Sequence, residues 1–550
     1  MRNVSCFCIL TFALTLSLSA QQPAEQSKPT EQSKKEEKAE SSLPPAPPDS
    51  TTENTVTVGG QKIAYRAVAG SITVGGTDAF DATLGLDGQP LNNTGMAPID
   101  PKKPEDAPAV ARMFYAAYFK KDTVATSRPL IFLYNGGPGS STMWLHMGAF
   151  GPRHVVTEGV QHPAGAPYTY GENKSSLLDV ADLVFIDAPG TGFSRVMGKD
   201  APKEFFGVDQ DAHAFERFIL RFLTKYDRWN SPKFLFGESY GTPRSAVISS
   251  LLRNVDLNGI ILLSAILSFD NSVDDPHWNP GVDQAYALAL PTYAASAYYH
   301  HKLAKQPPAL EPFLHEVEKF ALGEYEAALL AGASLPEEQR QAVAQKLHDY
   351  TGLPMEYWLK ADLRVEGGEY SKTLQDPAGL TTGRLDTRYS GPSLDPLSQG
   401  AEYDPQSQAV SSAYTTAIND YLRNELKYGK NESYKVNAYG DGFMWDLRHH
   451  PPNGPGPGEF EGGLNVMTDL ATAMKLNPKM RVFVTGGYYD LATPYFEGKY
   501  EMLHLQMPRE LQKNISYQYY ESGHMVYVSE SVLSRFHDDV AKFVRESVAK

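Results

Sequence analysis

Residues 233–254 read KFLFGESYGTPRSAVISSLLRN, and this stretch decides the architecture. Phe234, Leu235 and Phe236 form a short apolar run of β-forming type, Gly237-Glu238-Ser239-Tyr240-Gly241 follows, and Ser245 to Leu252 carries a helical pattern of small and aliphatic residues. The spacing predicts a strand, a sharp turn and a helix. A serine at such a turn is held in a strained backbone conformation at the strand's carboxyl end, and the flanking glycines let neighbouring chain approach without Cβ clashes. Ser239 is therefore the candidate nucleophile, and its own turn can help to build an oxyanion site.

Working outward, residues 211–226 (DAHAFERFILRFLTKY) predict an amphipathic helix with Phe215, Phe218, Ile219 and Phe222 on one face. Residues 129–135 (PLIFLYN) and 177–187 (LLDVADLVFID) read as strands buried on both faces. The first runs into Asn135-Gly136-Gly137-Pro138-Gly139-Ser140-Ser141, a tight loop with exposed backbone N–H groups, since three glycines around a proline suit neither a helix nor a strand interior. Further strands are expected at 259–264 (GIILLS), 480–485 (MRVFVT) and 515–520 (ISYQYY), with a last helix from about Glu530 to Val548. Near the start, residues 55–76 and 107–120 alternate β-formers with polar residues around Gly-Gly turns, which predicts an antiparallel opening to the sheet. Strands alternating with helices point to a doubly wound, mostly parallel α/β sheet.

The flanks bound the rest. Residues 1–20, MRNVSCFCILTFALTLSLSA, combine a basic Arg2, an apolar run and small residues before Gln21, the pattern of a secretory signal peptide. The run is short for a membrane anchor and no second such segment follows, so no membrane span is expected in the mature chain. Both cysteines, Cys6 and Cys8, lie inside it, so the mature chain is expected to have no disulfide; a secreted or periplasmic address follows. Residues 21–54 are Gln, Glu, Lys, Ser and Pro with almost no large apolar side chain and read as a disordered linker. Residues 268–435 lack buried strand runs and are strongly helical at 311–331 and 335–349, so they are expected to form an inserted, largely helical cap between core segments 55–267 and 436–550. A net charge of −15 argues against nucleic acid or anionic membrane as the main partner. Oligomeric state is not readable.

Ser239, Asp490 and His524 each follow a predicted strand, at the edge where an open α/β sheet places its ligands. A serine hydroxyl needs an imidazole to take its proton, and the imidazole needs a carboxylate to fix its tautomer. Singly, Asp490 has the alternative of a helix cap and His524 that of a surface turn residue; together, in the order Ser, Asp, His, they give the chain order of the α/β-hydrolase triad.

The segments 135–153 (NGGPGSSTMWLHMGAFGPR), 187–194 (DAPGTGFS), 237–244 (GESYGTPR), 486–494 (GGYYDLATP) and 521–527 (ESGHMVY) together resemble the serine carboxypeptidases. The resemblance implies an α/β-hydrolase fold with Ser239 as nucleophile, His524 as general base and acid, Asp490 as orienting carboxylate, and the N–H groups of Gly137 and Tyr240 as oxyanion hole. It also implies that Asn135, Gly136 and Glu238 hold a peptide's C-terminal carboxylate. Glu238 fits that role chemically, because a buried carboxyl keeps its proton and can then donate to another carboxylate. Two positions depart from the pattern: Ser140 stands where the family carries a cysteine, and Ala149 where it carries a second carboxylate-binding glutamate. Arg244 or Arg153 is a candidate for replacing the missing contact; pairing of Arg244 with a nearby acid is the equal alternative.

Trp144, Trp358 and Trp445 are candidates either for a substrate cleft or for the core. His449-His450 lacks partners at metal-ligand spacing, and the loop at Gly136 lacks both the P-loop and the dinucleotide endings, so no metal and no cofactor are expected. The expected function is a serine-type carboxypeptidase acting on peptides through an acyl-enzyme. An esterase, acyltransferase or other peptidase on the same scaffold, or a non-catalytic binding protein, are the alternatives.

Overall fold

The residues 233–238 form a strand buried along its whole length, in the middle of a ten-stranded sheet. The computed structural model describes residues 47–91, 106–157, 159–440, 443–452 and 464–549. All fall in one compact unit, 42–550. The expected signal peptide and the linker up to residue 46 lie outside the described residues.

Nine strands carry the sheet: β1 (Ser50–Val58), β2 (Gln61–Gly75), β3 (Val110–Lys120), β4 (Leu130–Tyr134), β5 (Asp182–Ile186), β6 (Lys233–Glu238), β7 (Gly259–Leu263), β8 (Arg481–Gly487) and β9 (Ile515–Tyr520). Their spatial order is β1-β2-β3-β5-β4-β6-β7-β8-β9, and a short strand, Arg195–Met197, pairs with β3 beside this path. The β1–β2, β2–β3 and β3–β5 pairings are antiparallel; every later pairing is parallel. This is an α/β-hydrolase fold.

The strands β4 to β7 are buried at every position because helices cover both faces, and side chains alternate between two cores. Leu235, Ile260, Leu262, Val482 and Val484 face α1 (Val208–Lys225) and α2 (Gly241–Leu251). Phe234, Phe236, Ile261, Leu263 and Phe483 face the opposite side, where the C-terminal helix Glu530–Val548 lays down Leu533, Phe536, Val540 and Val544.

Two expectations change. First, β1 begins at Ser50, inside the stretch read as linker, and its first residues pair in register with β2, Ser50 opposite Ala69. Most of its side chains are at least partly exposed, so the order comes from ladder hydrogen bonds, which composition does not report. Gly59 and Gly60, both at positive φ, close the β1–β2 hairpin as the Gly-Gly pattern suggested. Second, the insertion is not of one piece. Helices Gln284–Tyr299, Leu310–Phe320 and Glu337–Thr351 enclose a core of their own around the fully buried Trp358. The helix Pro405–Asp420 instead lays Ala409, Val410, Ala413, Tyr414, Ala417 and Ile418 onto the sheet-face core, as a helical stripe does.

Candidate active site

The turn after β6 has the strain its sequence implies. Ser239 sits at φ +59°, a left-handed conformation uncommon for a residue with a side chain. It is pinned there: Ser239 N–H donates to Leu263 O at 3.0 Å, and Thr242 donates to Ser239 O at 2.8 Å from both its N–H and its hydroxyl. A Cβ on Gly237 would lie 1.9 Å from Gly241 O, so only glycine fits there. Ser239 itself is half-buried, between neighbours that are buried.

A lateral run of hydrogen bonds joins this turn to the two others. Ser264 N–H donates to Thr485 O (2.8 Å), Tyr488 N–H to Tyr520 O (2.9 Å), and Tyr489 N–H to Ser522 O (3.0 Å), which fixes the carboxyl ends of β6 to β9 as one edge. On that edge Asp490 Oδ2 accepts the His524 Nδ1 proton at 2.8 Å, and Asp490 Oδ1 accepts the N–H groups of Ala492 (3.0 Å) and Thr493 (3.1 Å). Thr493 Oγ1 donates to Asp490 Oδ2 at 2.9 Å and lies 3.2 Å from His524 Nδ1. The insertion grips both turns through its backbone: His524 N–H donates to Leu385 O (2.7 Å), Leu491 N–H to Arg384 O (3.0 Å), and Thr387 N–H to Tyr489 O (2.9 Å). Burial alone would push the His524 imidazole down, but the Asp490 carboxylate more than offsets this and raises it above its ordinary 6.5. Two of the three expected triad members thus touch. Ser239 shares their edge, and the Ser264 hydroxyl, one strand over, holds His524 O at 2.8 Å. The serine-to-imidazole bond is not made in this conformation: among the described residues neither the Ser239 hydroxyl nor His524 Nε2 has a hydrogen-bond partner.

The glycine-rich loop lies directly on the nucleophile turn. A Cβ on Gly136 would stand 2.3 Å from Tyr240 N, so the two backbones are in contact only because the side chain is missing. Gly137, at φ +110°, follows. Among the described residues the N–H groups of Gly137 and Tyr240 have no acceptor, which leaves two donors unpaired beside Ser239. The loop is braced from behind by Asp187, whose Oδ1 accepts Thr142 N–H at 2.8 Å, and by Asn135 Oδ1, which accepts Leu145 N–H at 3.0 Å. Burial pushes the Asp187 carboxyl up to about 6.

Glu238 is buried beside the serine. Asn135 Nδ2 donates to its Oε2 at 2.8 Å, and the Tyr527 hydroxyl reaches Oε2 at 2.9 Å and Oε1 at 3.0 Å. Burial raises its carboxyl to about 7, an effect that the nearby His524 charge and these two donors only partly offset.

Arg244 is corrected. Its Nε donates to Asp211 Oδ2 at 2.5 Å and its Nη1 to Asn135 O at 2.6 Å, and its guanidinium lies 4.5 Å from the Phe215 ring centroid, with both ion-pair partners fully buried. The charge is matched beneath the turn and is not presented to a substrate. Arg153 pairs with Glu425 at 2.9 Å. Trp445 donates from Nε1 to the Tyr240 hydroxyl at 3.1 Å, and Trp144 from Nε1 to Ser140 Oγ at 3.2 Å, so these two flank the glycine loop whereas Trp358 is core. His449 is an ion-pair clamp between Asp209 (2.5 Å) and Asp469 (2.8 Å), which raise it to about 9 against the opposing effect of burial.

Sequence reasoning missed Thr493, Ser264 and Tyr527. The first and last sit three residues beyond Asp490 and His524, inside segments already singled out, and a hydroxyl at that offset from an aspartate is the signal of a local side-chain turn. It also missed Glu497 and Glu501, buried acids one turn apart on the helix Tyr495–Leu503: burial holds both above the usual carboxylate range, and the charge of Glu501 pushes Glu497 further up.

A family profile described as serine carboxypeptidase matches residues 105–265, the span from β3 through β7 that contains the glycine loop, Asp187 and Ser239. Over that span this chain is similar to the serine carboxypeptidases. A family member from Dictyostelium discoideum, described as a serine carboxypeptidase, is 28% identical over 181 residues, covering 32% of this chain and 41% of the relative. A serine carboxypeptidase-like protein from Arabidopsis thaliana is 28% identical over 176 residues, covering 31% and 34%. The chain therefore spans well under half the length of these curated relatives of the family. Among solved structures, the proline iminopeptidase of Mycobacterium smegmatis aligns over 80% of this chain and 95% of its own, at 12% identity and a TM-score of 0.34. Asp490 and His524 lie outside the span that the family profile matches.

Proposed function

We propose that the protein is a serine-type carboxypeptidase that removes residues from the C-termini of peptides. The observation that carries this is the joining of a strained Ser239 turn to the Asp490–His524 pair along one sheet edge, with unpaired N–H groups and a buried carboxyl raised to about 7 beside the serine. In the reaction Ser239 Oγ attacks the last peptide carbonyl as His524 Nε2 takes its proton, and Asp490 holds the Nδ1 proton and stabilises the imidazolium. The carbonyl oxygen, now an anion, is met by the N–H groups of Gly137 and Tyr240. His524 returns the proton to the leaving nitrogen, the C–N bond breaks and the C-terminal residue departs. Water, deprotonated by the same imidazole, then cleaves the acyl ester and restores Ser239. Glu238 in its neutral form, with Asn135 and the N–H of Gly136, receives the substrate's free carboxylate. If residues 1–20 act as an export signal, this chemistry takes place outside the cytoplasm.

A second reading has a specific basis: Ala149 stands where the resembled family carries a second carboxylate-binding glutamate, so an esterase or acyltransferase needing no free carboxylate fits the same machinery. The test is digestion of a mixed peptide library read by mass spectrometry, with a fluorophosphonate probe in parallel. Ladders that lose single C-terminal residues, absent in Ser239→Ala, support the carboxypeptidase. Ester turnover without ladders supports the second reading, and failure of the probe to label Ser239 makes the protein a binding module.

A further inference from the structure

The partners of Glu238 carry an inference that rests on this reading of the site. The carboxyl has two oxygens in unequal surroundings. Oε2 accepts from Asn135 Nδ2 at 2.8 Å and from the Tyr527 hydroxyl at 2.9 Å, while Oε1 has only the same hydroxyl, at 3.0 Å. A phenol has one proton, so it is shared between the two oxygens, and Oε1 keeps spare capacity. Oε1 is therefore where the carboxyl's own proton sits when Glu238 is neutral.

The room for this arrangement comes from Gly148, which presents no side chain. A Cβ on Gly148 would lie 2.6 Å from the Tyr527 ring and 2.5 Å from the Tyr414 hydroxyl, so the glycine is what admits both tyrosines against the Glu238 pocket. Tyr414 is buried and its hydroxyl has no partner among the described residues. The titratable groups facing Glu238 are Tyr527 and His524 from the turn after β9, Asp490 from the turn after β8, and Tyr414 from the helix Pro405–Asp420. Burial holds both phenols far above any working pH, so they never ionise there.

We propose that Tyr527 is a positioning residue for recognition of a peptide's C-terminal carboxylate: with Asn135 it fixes the plane of the Glu238 carboxyl so that Oε1 is the oxygen that donates to the substrate. Glu238 is then a single acid working with a donor that does not titrate, unlike two neighbouring acids that share a proton and titrate as a pair. Below about 7 the neutral carboxyl donates to the substrate; above about 7 it is charged and repels it. Tyr527 donates to the charged form, so its hydroxyl lowers the pH at which recognition is lost.

The experiment follows KM and kcat against pH for an N-blocked dipeptide and for its C-terminal amide, in the parent, Tyr527→Phe, Tyr414→Phe and Glu238→Gln. In the parent, KM for the free acid rises tenfold per pH unit above about 7 and that for the amide does not. In Tyr527→Phe the rise moves up by about one pH unit, and KM for the free acid at pH 6 increases several-fold, with no corresponding shift for the amide. Tyr414→Phe leaves the rise where it is, and Glu238→Gln, which cannot ionise, abolishes it. Circular-dichroism melting of each variant reports whether it is folded, so a folding defect is not mistaken for a recognition defect. A rise that does not move in Tyr527→Phe, or that moves equally for acid and amide, overturns the positioning role and leaves the carboxypeptidase reading intact. A parent that shows no preference for the free acid at any pH overturns both.

Discussion

Replacing Arg244 with methionine separates a structural from a substrate-binding guanidinium. Arg244 and Asp211 are fully buried and 2.5 Å apart, and among the described residues Asp211 Oδ1 has no other partner. Removing the arginine leaves a carboxylate buried with no counter-charge and also takes a donor from Asn135 O, behind the glycine loop. Breaking a buried pair from one side costs roughly 3–5 kcal/mol. With a urea slope of about 3 kcal/mol/M or more for a chain of this size, the unfolding midpoint falls by about 1 M. The deficit depends on pH with a definite sign. Burial raises Asp211 above its ordinary 3.8, Arg244 partly offsets this, and losing Arg244 raises it further. A folded-state carboxyl raised above its unfolded value penalises the fold above its folded pKa, and the penalty fades as pH falls through it. Urea unfolding of Arg244→Met followed by circular dichroism should therefore show a larger loss at pH 8 than at pH 5, and the double change Arg244→Met with Asp211→Leu should recover most of it. A single variant as stable as the parent, with only its KM for free-acid peptides raised, would return the guanidinium to the substrate and refute the reasoning.

Asp490→Asn removes the acceptor that fixes the His524 tautomer and is expected to lower kcat by about 10⁴-fold while fluorophosphonate labelling of Ser239 slows in step. In the parent, the acidic limb of kcat/KM for amide substrates should lie above pH 6.5, since the base must be neutral and Asp490 raises it. Gly136→Ala puts a Cβ 2.3 Å from Tyr240 N, so the loop must move off the turn; kcat is expected to fall by 10²-fold or more, by about 3 kcal/mol of lost oxyanion stabilisation, with KM changing less. His449, raised to about 9 between two aspartates, stabilises the fold fully below 6.5 and loses that contribution as pH rises through about 9; His449→Gln should be destabilised at pH 6 and nearly equal to the parent at pH 10 in thermal unfolding.

Much of this was legible in one dimension, because the signals were local. A strand buried on both faces reads as an unbroken apolar run, and the turn at Ser239 needs its glycines within a few residues of the strained serine, so β4 to β9 and the three carboxyl-end turns could be placed from sequence. What was not legible depends on pairing across distance. The Ser50–Asn54 segment is ordered by a ladder to β2, and its polar composition hides this. Which core a helix of the insertion joins depends on the surface its stripe meets, so 405–420 could not be told from 284–299. Arg244 finds Asp211 on a neighbouring helix, and a formal charge in the sequence carries no mark of its partner. Tyr527 was passed over for a similar reason: its hydroxyl matters through Glu238, which lies 289 residues away.

The backbone bonds from residues 384, 385 and 387 to the turns bearing the carboxylate and the imidazole have a practical outcome. Those turns borrow their shape from a segment outside the sheet, running between the insertion's own core and the helix laid on the sheet face. Warming that frays the segment would shift the carboxylate and imidazole turns while the central strands stay intact, so loss of the proposed activity would precede loss of the fold, and a reinforcing cross-link near residue 385 would delay the first without raising the temperature of the second.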